Sequence, residues 1–400
     1  MHRDGERTVD SYYRPTVAEI SLDALARNIG AFRKRIPAGT RVLASVKANA
    51  YGHGAVETAR EAAAAGVDYL GVAFLDEALQ LRHAGIRTPI LVLGYTPASG
   101  LQIARDLDIT VNLYREDILD AAARLPAHPS KRLKAHIKID SGMARLGILP
   151  GKDAESFLER ALRVPGLEVE GLFTHFARAD ESDKSYTNMQ LARFAGVVEY
   201  VRRNGLPIPI IHAGNTAAGI DLPTDTGGML RLGIGMYGLY PSDEVERETV
   251  GLEPAMTLKT ELVHVKQLAA GEGISYGTKY FTQREETIGT LPVGYADGYS
   301  RMLSGKAEVL YRGRRVPVVG NVCMDQCMVR LGDAQAADGA EPGEEIVLMG
   351  RQGDSAITAE EIAAKLGTIN YEVTCMVAAR IPRVYRKNGE VVAVVNPLLA

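Results

Sequence analysis

The sequence is short of several features that would settle its class early. Its three cysteines (Cys323, Cys327 and Cys375) cannot pair completely, and the C-x3-C spacing of the first two is not a zinc spacing. They read as small buried hydrophobes in a reducing compartment. No apolar run approaches the roughly 18 residues that a membrane span needs. The opening MHRDGERTVD has no apolar stretch behind its charges, so no secretory signal is expected. Neither charge sign is in excess. With 46 Lys and Arg against 49 Asp and Glu the net charge is -3, which gives no reason to expect a nucleic acid or a membrane surface as partner. No unit repeats with a period of roughly 20–50 residues, and no low-complexity linker interrupts the chain. Walker A, H-E-x-x-H and G-x-S-x-G sequences are all missing. What remains, 46% hydrophobic and 24% charged over 400 residues, is the composition of a cytoplasmic enzyme of roughly two to three domains.

The chain has two textures. From Arg41 to about Pro241, short β-branched runs alternate with Ala/Glu/Arg-rich helical runs. RVLASVKA, VDYLGVAF, TPILVLG, DITVNL, HIKID, LEVEGLFTHF, IPIIHAGN and MLRLGIG make eight strand candidates. Near-continuous apolar strands between helices argue for parallel βαβ units, and eight of them fit a (β/α)8 barrel, with a doubly wound sheet the alternative on pattern alone. A further helix, SLDALARNIGAFRKRI, precedes them and opens on Ser21 as a cap. After about Gly251, runs such as LKTELVHVKQ, TIGTLPVG and EEIVLMG alternate between Gly, Pro and Asp turns, which reads as antiparallel sheet with one helix, TAEEIAAKLG. Its Thr358 and Glu361 make a capping-box pattern. The expectation is α/β plus β: an N-terminal (β/α)8 barrel over residues 12–250, then a mainly antiparallel β domain over 251–400. Residues 1–11 read as a frayed tail.

In a barrel, chemistry collects where the strands end. Lys47 stands late in the first apolar strand, RVLASVKA. As a structural residue it is a snorkelling or ion-paired lysine; as a functional one it is a partly desolvated amine suited to a Schiff base or to proton abstraction. His136, Lys138 and Asp140 end the fifth strand, with Arg145 just beyond. His175 ends the sixth, His212 with Asn215 and Thr216 the seventh, and Arg231 the eighth. Gly233-Ile234-Gly235-Met236-Tyr237-Gly238 matches G-x-G-x-x-G, but it closes the alternating region rather than opening it, and Pro241 obstructs the helix that should come next. It reads either as a phosphate cradle after strands seven and eight or as a structural turn. His136, Lys138, His175 and His212 at strand ends also suit a binuclear metal hydrolase with a carbamylated lysine, although the H-x-H of that family's first strand is missing.

VKANAYGHG (Val46 to Gly54), with RPTVAEISLDALARN before it, resembles the cofactor-lysine signature of the alanine racemases. HIKIDSGMARLG, LFTHFARAD, HAGNTAA, RLGIGMYGL, ISYGT, GYADGYSR, GNVCMDQCMV and INYEVTC match further motifs of that family in order, over about residues 14 to 385. The resemblance implies a pyridoxal 5'-phosphate enzyme, a head-to-tail homodimer with shared active sites, that interconverts L- and D-alanine and supplies D-alanine for peptidoglycan. By matched position, Lys47 would hold the cofactor as an internal aldimine and act as the base for the D-enantiomer. Tyr276 would be the opposite base, serving the partner subunit's site. Tyr51, Thr216, Tyr371 and the backbone of Gly233 and Ile234 would hold the phosphate, with Asn215 close by. His175 would lie against the pyridine ring and Arg231 would face its nitrogen. Arg145 and the partner's backbone at Met324 would hold the substrate carboxylate, and Lys138 would be carbamylated and orient Arg145.

These roles fit the chemistry. Inverting a stereocentre needs a base on each face of the cofactor plane. Guanidinium only donates, so Arg231 cannot leave a proton on the pyridine nitrogen, and an unprotonated ring is a weaker electron sink. A decarboxylase of related architecture prefers a carboxylate at that position, and a single-domain cofactor carrier would need neither Tyr276 nor a second domain. Racemisation of another small or basic amino acid, serine or lysine, is the alternative reading. Two positions depart from the family pattern: Val17 stands where Trp is usual, and Asn321 where many members have Arg along the entrance to the site. Tyr295, Asp297 and Arg301 are expected to line the same approach, with a structural role equally open to Asp297.

Overall fold

The eight apolar runs between Arg41 and Leu232 form one parallel sheet. The strands are Arg41–Ser45, Tyr69–Val72, Ile90–Val92, Ile109–Leu113, Leu133–Lys138, Leu167–Phe173, Ile210–His212 and Met229–Leu232, and each pairs with its neighbour in chain order through the seventh. The eighth returns to pair with the first, Arg41 opposite Met229 and Leu43 opposite Arg231. Between the seventh and eighth no regular ladder forms. There the wall is closed by single bonds, Gly228 N–H to Ile211 O at 2.7 Å and Arg231 N–H to Gly214 O at 3.0 Å. The result is a near-closed barrel. The structure, a computed structural model, describes residues 12–333, 337 and 339–399. The tail expected over residues 1–11 lies outside the described residues.

Strands two to four are buried at every position, as parallel strands covered on both faces must be. Inside, Leu43, Tyr69, Leu91, Ile210 and Met229, from five different strands, pack into one apolar cluster. Outside, the helices bury one stripe each. In Lys152–Leu162 it is Ala154, Phe157, Leu158 and Ala161, the i, i+3, i+4, i+7 spacing of an amphipathic helix.

The chain forms two units. The first is residues 24–50 and 55–253, the second residues 12–23, 51–54 and those from 254 onward. Residues 12–23, expected with the barrel in 12–250, therefore belong to the second unit. Their strand Val17–Ser21 runs antiparallel to Met256–Glu261 and parallel to Arg383–Lys387. Around it the described strands of an eleven-stranded sheet run in the order His264–Leu268, Glu286–Leu291, Cys327–Gly332, Arg314–Val319, Glu308–Tyr311, Glu345–Gln352, Met256–Glu261, Val17–Ser21, Arg383–Lys387, Glu390–Val395, with Ser355–Ile357 beside Glu345–Gln352. All pairings in it are antiparallel but the one between Val17–Ser21 and Arg383–Lys387. Buried and half-buried residues alternate along Cys327–Gly332, the pattern of a sheet covered on one face. Residues 51–54 are tied into this unit by Arg383 Nε–H to Gly52 O at 3.1 Å and by the Tyr385 hydroxyl to His53 O at 3.0 Å.

The helix Ala359–Leu366 is capped by Thr358, whose Oγ1 accepts the Glu361 N–H at 3.2 Å. The Glu361 carboxylate does not complete the reciprocal half expected of a capping box. It binds both terminal nitrogens of Arg315 and the amine of Lys365, because charge-assisted bonds outcompete one to a neutral N–H. No helix among the described residues is long and apolar enough to cross a membrane.

Gly171 in the sixth strand faces His136 at a register shift, and a β-carbon there would lie only 2.4–2.5 Å from three atoms of the His136 ring. Gly171→Ala should cost roughly 1–3 kcal/mol, the usual penalty of overpacking. Gly166→Ala, with open space around it, should cost little; urea midpoints of the two variants compare them.

Candidate functional site

The residues singled out in the barrel unit gather at one end of its strands. Lys47 lies two residues past Arg41–Ser45, Lys138 and His212 are the last residues of their strands, and His175 lies two residues past Leu167–Phe173. Arg231 sits inside the last strand, and Asn215 caps the short helix Thr216–Asp221 through its side chain, to the Ala218 N–H at 3.1 Å.

The backbone beyond Lys47 is strained. Ala48, Asn49, Ala50 and Tyr51 all have φ between 52° and 54°, one turn of left-handed helix. For L-residues this conformation costs roughly 1–2 kcal/mol each, and it normally occurs singly. It persists only where the surroundings over-determine it, and such places cluster at functional sites. Here Val46 N–H is tied to Gly71 O at 2.8 Å, Ala50 N–H to Val46 O at 2.9 Å, and the Asn49 side chain accepts Ala55 N–H at 2.9 Å.

Arg231 is buried and makes four polar contacts through its terminal nitrogens. Its guanidinium donates to Thr174 O at 2.8 Å, Ala213 O at 2.7 Å, His212 Nδ1 at 2.8 Å and His175 Nδ1 at 3.1 Å. His212 Nε2 is 2.9 Å from His136 Nδ1, and His136 Nε2 is 3.4 Å from the Glu170 carboxylate. Guanidinium has no acceptor, and this sets the order of protons along the row. His212 accepts at Nδ1 and carries its proton on Nε2, so it donates to His136 Nδ1. His136 then carries its proton on Nε2, facing Glu170. Burial pushes both imidazoles toward the neutral form, and for His212 the charge of Arg231 adds to it. Thr110 and Tyr69 hold Glu170 at 2.8 and 3.3 Å. Phe173 stacks on His212 at 4.9 Å and lies under the guanidinium at 5.5 Å. With both nitrogens of His212 and Nδ1 of His136 committed, these histidines are not free for a binuclear metal site.

Positive charge converges here. Burial pushes the Lys138 amine down to about 7, helped by Arg145, Arg231 and Lys47 and opposed by Asp140. His175 is driven well below its ordinary range by burial and by the same cations. Asp140 shapes the loop that carries the exposed Arg145 by accepting the N–H groups of Gly142 and Ala144, both at 3.0 Å. Thr216 Oγ1 accepts the Gly233 N–H at 2.9 Å, which leaves the hydroxyl proton of Thr216 to donate elsewhere.

The second unit holds the other candidates. Tyr51 and the half-buried Tyr371 pack ring to ring with centroids 6.1 Å apart. Tyr276 is 75% exposed in a tight turn. Asn321 was expected only to bear on substrate entry; its side-chain amide donates to the Tyr276 carbonyl at 2.6 Å, while Ser275 Oγ donates to the Asn321 carbonyl at 2.6 Å. Asp297 is structural. It is buried between Arg14 at 2.8 Å and Arg380 at 2.6 Å and accepts the Gly294 N–H. Tyr295 and Arg301 line an open pocket of about 530 Å³ with Ser300 and Met376. Met324 is exposed. Sequence reading missed Glu170 entirely; its signal was a carboxylate between the apolar residues of LEVEGLF.

Two family models match the chain in succession, "Alanine racemase, N-terminal domain" over residues 20–241 and "Alanine racemase, C-terminal domain" over residues 255–385. The chain belongs to the alanine racemase family. It is 45% identical over 395 residues to an alanine racemase of Halalkalibacterium halodurans, covering 98% of this chain and all of that one. Among solved structures it is similar to the Bacillus anthracis alanine racemase with bound L-Ala-P, with TM-score 0.90, 43% identity and 97% and 99% of the two chains covered. It is also similar to the Clostridium difficile alanine racemase in complex with cycloserine, with TM-score 0.87, 39% identity and 96% and 99% covered. Against these alanine racemases the expected fold class, a barrel followed by an antiparallel β domain, holds.

The Lys138 amine generates a test. Its affinity for a proton is lowered from the ordinary 10.5 to about 7 by folding, so between those values the unfolded chain holds the extra proton. Stability must then rise with pH across that window, by up to about 1.4 kcal/mol per pH unit. Urea unfolding between pH 7 and 10 in bicarbonate-free buffer should show this rise, and Lys138→Met should remove it.

Proposed function

We propose that this chain interconverts L- and D-alanine with pyridoxal 5'-phosphate anchored on Lys47, as a cytoplasmic homodimer that supplies D-alanine for peptidoglycan. The observation that carries the reading is the buried Arg231 guanidinium on His175 Nδ1 at 3.1 Å, with Lys47, Lys138 and Arg145 near enough for their charges to lower the proton affinity of His175. Such a donor set fits a cofactor with a phosphate and a substrate with a carboxylate. The names of the relatives favour alanine over serine or lysine.

Pyridoxal phosphate, when bound, supplies the electron sink that makes the α-proton of an amino acid removable. The rest is done by this chain's residues. Lys47 would hold the cofactor and, as the amine released when the substrate takes its place, would move the α-proton on one face. The partner subunit's Tyr276 moves it on the other, which accounts for a tyrosine left 75% exposed in the single chain. Thr216, Tyr51, Tyr371 and the backbone of Gly233 and Ile234 would hold the phosphate, with Asn215 ordering the helix start beside it. Gly233 acts through the Thr216 hydroxyl, since its N–H is bound there. His175 would lie against the ring. Arg231 would face the ring nitrogen as a donor and leave no proton on it, which would favour return of the α-proton over transfer of the amino group.

Arg145 and the partner's Met324 would bind the substrate carboxylate. Lys138 has the amine that carbamylation requires, neutral in large part at pH 7. Its nitrogen would bond to the carbon of CO2 and lose a proton, giving an anion that offsets Arg231 and Lys47 and orients Arg145. Exposed Tyr295, Met302, Met324 and Ile369 support a second copy as the partner.

Tyr276→Phe tests the two-base arrangement. Racemisation should fall by about 10²–10⁴-fold, the usual contribution of a positioned acid or base. Exchange of the α-hydrogen of D-alanine with D2O, which needs only Lys47, should persist. Racemisation intact in both directions would contradict the assignment.

A further inference from the structure

Glu77 stands at the third position of the helix Leu75–His83. Its Oε2 accepts the N–H groups of Ala73 at 2.6 Å and Phe74 at 3.2 Å. That much is the reciprocal half of a capping box, and it serves only the helix. Its other oxygen serves something else: Oε1 accepts the N–H of Ala48, the residue after Lys47, at 2.7 Å. Ala48 opens the four-residue left-handed turn, where alanine is a poor choice and has no side chain with which to brace itself. One carboxylate thus joins the exit of the first barrel strand to the exit of the second. A bond from N–H to carboxylate is charge-assisted and roughly twice as strong as a neutral one.

We propose that Glu77 is a positioning residue for Lys47. It holds the left-handed turn in place, and that turn directs the Lys47 amine toward Lys138 and His175. Glu77 itself touches neither substrate nor cofactor. A helix cap alone would need only Oε2. The inference rests on Lys47 as the cofactor anchor, and the experiment separates the two.

The holoenzyme is treated with hydroxylamine, which displaces Lys47 from the cofactor. The C=N bond to Lys47 breaks, one to hydroxylamine forms, and Lys47 leaves as the amine. The loss of the visible band gives the rate. Glu77→Gln keeps the size of the side chain but sets an NH2 against one of its N–H partners, so bleaching should be about tenfold faster, matching the cost of roughly one strained residue. Adding Ala48→Gly removes the left-handed penalty at that position and should restore the rate to within about threefold of the unsubstituted protein. A cap defect alone would respond differently: Ala48→Gly could not repair the helix start, so the faster bleaching would persist. The proposal is overturned if Glu77→Gln bleaches at the unsubstituted rate, or if Ala48→Gly leaves the faster rate unchanged. Borohydride reduction and peptide mapping of the unsubstituted protein come first. A pyridoxyl group found elsewhere than on Lys47 removes the anchor, and this proposal with it, before any variant is compared.

Discussion

The barrel unit is organised around a cation that can only donate. Arg231 is buried among carbonyls and imidazoles, and burying a charge is costly unless its surroundings meet it. Two carbonyl oxygens and two ring nitrogens do so, and the nitrogens must then be acceptors. That requirement fixes the tautomer of His212, which fixes that of His136, which aims a proton at Glu170. The positive end of the row lies where the strands finish, and the negative end lies deeper in the barrel wall. A neutral or protonatable side chain at position 231 would leave every member of this row free to reorganise.

The second constraint is the backbone after Lys47. A left-handed turn of four residues is stored strain, held by bonds from three directions. It also marks where the chain passes from one unit to the other, since residues 24–50 belong with the barrel and residues 51–54 with the sheet. The lysine that must be held firmly and the tyrosine four residues on, which packs against Tyr371, are thereby set by different parts of the fold. Strain here has a use: a turn with one accessible shape gives the amine one approach.

Much of this was legible in the residues. The eight barrel strands are near-continuous apolar runs because both faces are covered. Seven of the eight expected runs contain an observed strand; the fifth, HIKID, overlaps only the second half of Leu133–Lys138. The strand Val17–Ser21 escaped notice because VAEIS runs straight into the amphipathic helix Leu22–Arg35 and its partners lie more than 200 residues away. The left-handed turn has no local signature, since Lys-Ala-Asn-Ala-Tyr has the propensities of an ordinary helix. His136 and His212 were visible as strand-end histidines, but their partnership depends on packing across the barrel, which spacing along the chain does not encode. Glu77 was hidden for a different reason. Its capping position explains it fully until the second oxygen is seen to bind Ala48.

The most direct test of the account is the protonation of that buried row. Long-range nitrogen–proton correlation spectra of the protein with 15N-labelled histidine, at neutral pH, report the state of each imidazole. The account predicts that His136 and His212 are both neutral with the proton on Nε2. A proton on Nδ1 of either ring, or an imidazolium at either position, would contradict it, because Arg231 would then face a donor instead of an acceptor.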